Sequence, residues 1–102
     1  MTDPDPRAAR EVIGTELGRV VRRWQQLPLD HALSVSPRVR DVVQDLADRV
    51  AAAESMPCAP VPDLGPAVLM DQLRVMVYDY GEAGLDPVAL AAELTALRRT
   101  IG

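Results

Sequence analysis

Three of the helix starts read from this chain, Asp5-Pro6, Ser36-Pro37 and Asp86-Pro87, set a proline after a capping residue, and Gly65-Pro66 opens a fourth. Proline at the first helical position loses nothing, because its missing N–H would have no intrahelical partner there. An Asp or Ser just before it can accept from the next free amides. These marks divide the 102 residues into four segments, and each repeats its apolar residues at helical rather than strand spacing. The pattern predicts an all-α, four-helix bundle in a single domain spanning residues 1–102.

In the first segment Ile13, Leu17, Val20, Trp24 and Leu27 share one arc, widened by Ala9 and Val21, and predict a helix over 7–26 that stops before Pro28. Leu29, Ala32 and Leu33 form an apolar turn in the connection that follows. Ser36-Pro37 is read as the next start, with Val39, Val42, Val43, Leu46, Val50 and Ala53 tracing a helix over 37–54. A third helix over 66–80 gathers Leu69, Met70, Leu73, Met76, Val77 and Tyr80 on one broad face, with Val68, Val75 and Tyr78 turned elsewhere. "GEAG" ends it. The fourth helix, 87–101, carries the narrow seam Leu90, Leu94, Leu97 and Ile101. The six-residue link between helices three and four predicts antiparallel neighbours.

The connection "SMPCAPVPDLGP", Ser55 to Pro66, holds four of the nine prolines and the only cysteine. Ten residues of extended chain reach about 30 Å, against about 27 Å for an 18-residue helix. The joint is therefore long enough to run back along the whole second helix. That leaves an up-and-down bundle, a crossover, or exchange of the last two helices between subunits. Pro57 and Pro60 match proline-recognition ligands only weakly, and Cys58 has no charged neighbour to activate it.

Composition narrows the function classes. The net charge is -4 and every cation is arginine, since the chain has no lysine; asparagine is absent too, a bias that GC-rich coding produces. Lysine chemistry is excluded, and the acidic balance argues against nucleic acid as the default partner. A lone cysteine forms no internal disulfide, no stretch is long and apolar enough for a membrane span, and "MTDPDPRAAR" lacks an apolar leader, so a soluble cytoplasmic protein is expected. Neither a glycine-rich phosphate loop nor a Cys–His pairing appears, and His31 has no partners at metal-ligand spacing. No catalytic residue, cofactor or metal is expected.

Two groups of residues remain. Gly14 and Gly18, one turn apart in the first helix, together with Val68, Val75 and Tyr78 on the third, form a candidate interface. Arg19, Arg22 and Arg23 form a candidate anion-contacting stripe. The reading that follows is a non-catalytic helical interaction module, homodimeric or binding another protein through a hydrophobic helix face. The alternatives are a nucleic-acid-associated regulator using the arginines, or a small all-helical enzyme or ligand binder.

Overall fold

A computed structural model describes residues 5–102; the N-terminal stretch without an apolar leader falls partly in residues 1–4, outside the described residues. Four helices are formed, α1 (Pro6–Gln26), α2 (Leu29–Ala53), α3 (Pro66–Glu82) and α4 (Pro87–Ile101), with no strand among the described residues. The all-α, four-helix prediction holds. The helices pack as two compact units, α1 on α4 and α2 on α3, so α3 takes α2 as its extensive partner where the short 3–4 link suggested α4.

In the first unit the proline starts behave as expected: Asp5 accepts from the Arg7 amide at 3.0 Å and Asp86 from the Val88 amide at 2.9 Å. α4 buries Leu90, Ala91, Leu94, Leu97 and Ile101, the predicted seam. α1 departs from its pattern. Its buried residues are Ala9, Glu16, Val20, Val21 and Trp24, while Ile13, Leu17 and Leu27 are half-buried. A carboxylate thus occupies a seam position, and it is paired there: the Glu16 carboxylate accepts from Arg98 Nε of α4 and from Arg19 Nη1 at 3.2 Å.

In the second unit α2 begins at Leu29, eight residues before the predicted start at Pro37. The first helical bond runs from the Ala32 amide to the Pro28 carbonyl. Pro37 lies inside the helix and removes one amide, that toward the Leu33 carbonyl. Burial on both sides of it carries the helix through: Ala32, Ser36, Val39, Val43, Leu46 and Val50, spaced alternately four and three apart, form one buried stripe. The Ser36 hydroxyl donates to the Ala32 carbonyl at 2.7 Å, so this polar group is satisfied while buried.

α2 ends in a reversal. The Met56 amide donates to the Ala51 carbonyl and the Ser55 amide to Ala52, a Schellman motif with Ser55 at φ 57°, where glycine is usual. α3 ends the same way with the expected residue: Leu85 donates to Tyr80 and Gly84, at φ 73°, to Gly81. Gly81 and Glu82 are consequently still helical, two residues past the predicted end.

The reversal lays the proline-rich segment back along α2. Cys58 Sγ reaches the Asp48 carbonyl at 3.8 Å, Gln44 meets Ala59 and Val61, and Arg40 pairs with Asp63 at 3.4 Å. The strap therefore descends α2 from its C-terminal end to its middle. α3 then climbs in the same direction as α2, since Leu69 and Gln72 share a cavity with Arg40 and Gln44, whereas Met76 and Asp79 share another with Val50 and Glu54. Within the second unit α2 and α3 are therefore parallel, joined by a crossover strap.

Candidate interaction surface

Gln44 fastens the strap. Its Oε1 accepts from the Val61 amide at 2.8 Å and its Nε2 donates to the Ala59 carbonyl at 3.1 Å, and the same nitrogen reaches Asp48 Oδ1 at 2.9 Å. One amide side chain thus pairs with both backbone groups of an extended segment, much as a neighbouring strand would. Gln72 of α3 adds a bond from its Nε2 to the Pro62 carbonyl at 2.9 Å. Neither glutamine stands out in the sequence, because its partners on the strap lie ten or more residues away along the chain.

Held in this way, the strap and α3 enclose an open apolar groove of about 380 Å³, floored by Val43 and walled by Pro60, Val61, Pro62, Val75 and Met76. Asp71 is the only titratable side chain on its lining, which supplies no nucleophile and base in one place. On the far side of Val61 a more polar hollow of about 300 Å³ is lined by Arg40, Asp41, Gln44 and Asp63. A third, of about 220 Å³, opens toward Met56 and Pro57.

Of the predicted interface residues of α3, Val75 lines the groove. Val75 is 52% exposed and Tyr78 66% exposed, whereas Val68 is half-buried and Tyr80 is buried. Asp71, Val75, Tyr78 and Glu82, spaced four, three and four apart, make one exposed strip with a carboxylate at each end and two apolar side chains between. Asp71 also faces Arg74 one turn on, at 3.8 Å.

The remaining candidates belong to α1. A side chain built at Gly14 would meet no atom within 4 Å, and one at Gly18 only the guanidinium of Arg22, at 3.7 Å. Among the described residues, no backbone from another element approaches either glycine. Of the three arginines, Arg19 is engaged by Glu16, while Arg22 and Arg23 are exposed. His31 sits exposed in the first turn of α2, its amide donating to Asp30 Oδ1 at 2.9 Å. Cys58 is exposed on the strap. Glu16 gives no signal in the sequence, because carboxylates usually lie on the solvated side of such a helix and its partner Arg98 is 82 residues away.

No helix among the described residues is long and apolar enough to cross a membrane. No protein-family model, curated protein or solved structure matches this chain.

Proposed function

We propose that this protein is a non-catalytic interaction module that forms a homodimer through the exposed apolar face of α3. The observation that carries the reading is the pair Val75 and Tyr78, each more than half exposed on one side of α3, with Val75 lining an apolar groove. Their uncovered halves are worth about 1 kcal/mol each on burial, so a stable contact fills the groove as well as covering the strip.

Charge substitution tests the reading. Val75→Glu places a carboxylate in the contact without touching the buried side of α3, so association is lost while the far-ultraviolet circular dichroism of a helical protein is retained. Light scattering of both proteins at tens of micromolar reads the outcome. A wild-type chain that is monomeric throughout, or a variant that associates as well as wild type, refutes it.

A further inference from the structure

We infer that the groove between the strap and α3 is the seat of a basic amphipathic helix from a partner protein; this goes beyond the homodimer and does not depend on it. The groove and the hollow toward Met56 and Pro57 meet at Met76, and both lie wholly within the second unit. Together they follow α3 from Asp71 to Asp79, eight residues or about 12 Å of helix. Their walls are mostly apolar, and two of the side chains on them, Val75 and Met56, are 52% and 60% exposed. A seat of that length takes two turns of a partner helix, with apolar side chains at i, i+3 or i+4, and i+7.

The lining sets the sign of the partner's charge. Its titratable side chains are Glu54, Asp71 and Asp79, and no arginine lines either hollow. The unit around them has the same bias. Residues 28–85 hold nine acidic side chains against four arginines, and Arg40, Arg49 and Arg74 already face Asp63, Asp45 and Asp71. Cations at the two ends of the partner's apolar face meet Asp71 at one end and Glu54 with Asp79 at the other. A second copy brings the same carboxylates to a twofold contact of α3 with itself, so it competes poorly with a basic helix for Val75.

The strap selects a helix over an extended ligand. An extended ligand would add to the strap by backbone pairing, but Pro57, Pro60 and Pro62 have no amide to offer. The Val61 amide and the Ala59 carbonyl are held by Gln44, and the Pro62 carbonyl accepts from Gln72. Recognition therefore falls to side chains, as it does when a helix lies in an apolar groove.

The probe is a short fluorescein-labelled peptide of leucine and lysine in the helical pattern above, and its twin carries glutamate in place of every lysine. Fluorescence anisotropy with full-length protein should show micromolar binding of the lysine peptide, weakening as salt rises, and none of the glutamate peptide. Asp71→Asn/Asp79→Asn should weaken binding about tenfold and Val75→Arg at least as much, with circular dichroism checking that each variant stays helical. Asp30 and Asp45 line neither hollow, so Asp30→Asn/Asp45→Asn, the same change of charge in the same unit, should alter affinity less than about threefold. Equal losses in the two double variants, binding of the glutamate peptide, or no binding of the lysine peptide at about 100 μM overturns this inference and leaves the homodimer to its own test. A wild-type monomer that holds the lysine peptide through Asp71 and Asp79 refutes the homodimer alone.

Discussion

Replacing Gln44 by alanine should release the strap while leaving all four helices in place. The side chain makes two bonds to the strap, to the Val61 amide and the Ala59 carbonyl, and one to Asp48 within α2. A typical intramolecular hydrogen bond contributes about 1 kcal/mol net, and water can replace part of what is lost at a half-exposed site, so Gln44→Ala should cost about 2 kcal/mol. Urea denaturation followed by circular dichroism reads the global part of this loss. Hydrogen exchange at the Val61 amide reads the local part, since opening the strap by that amount speeds exchange about thirtyfold. Gln44→Glu separates the two strap bonds: it keeps an acceptor for the Val61 amide, loses the donor to Ala59 and sets a second carboxylate beside Asp48. Its effect should therefore be at least as large as half that of the alanine variant. An unchanged urea midpoint together with unchanged exchange at Val61 would refute the assignment of Gln44 as the clamp.

Further substitutions test other parts of the fold. Ser55→Gly relieves a non-glycine residue of its left-handed conformation and should stabilise by about 0.5–1 kcal/mol after the greater freedom of glycine in the unfolded chain is counted; a lower melting temperature would contradict the Schellman assignment. Pro37→Ala restores the amide for the Leu33 carbonyl and should raise stability by about 1–2 kcal/mol, seen as a higher urea midpoint; a loss would mean that the proline stiffens α2 rather than interrupting it. In the first unit, Arg98→Ala should cost about 2 kcal/mol and Arg19→Ala less than about 0.5, because the Glu16 side chain is 8% exposed, Arg98 32% and Arg19 53%; equal costs in thermal melts would contradict the ranking.

The exposed α3 strip is legible in the sequence, since Val75 and Tyr78 lie off the stripe of Leu69, Leu73 and Tyr80 by helical geometry alone. Its surroundings are not. The groove beside it is walled by Pro60, Val61 and Pro62, which come next to Val75 and Met76 only after the strap has folded back along α2. Arg40 and Asp63 meet by the same route. In the sequence the two glycines of α1 are read as an interface because glycine inside a helix is costly. The fold adds that open space lies beside Gly14 and that no other element's backbone among the described residues approaches it.

Local chemistry alone decided the number of helices, three of their four starts and most of their buried stripes, because a proline-marked start and a 3.6-residue period act within a few residues. Tertiary packing decided the rest. α2 runs through Pro37 because burying Ala32 and Ser36 on one stripe with Val39 outweighs a single missing amide. Glu16 lies on the buried side of α1 because Arg98 reaches it from α4. The crossover required the reversal at Ser55 and the grip of Gln44 on Ala59 and Val61. Most of these contacts join residues far apart in the chain, and a local pattern cannot encode them.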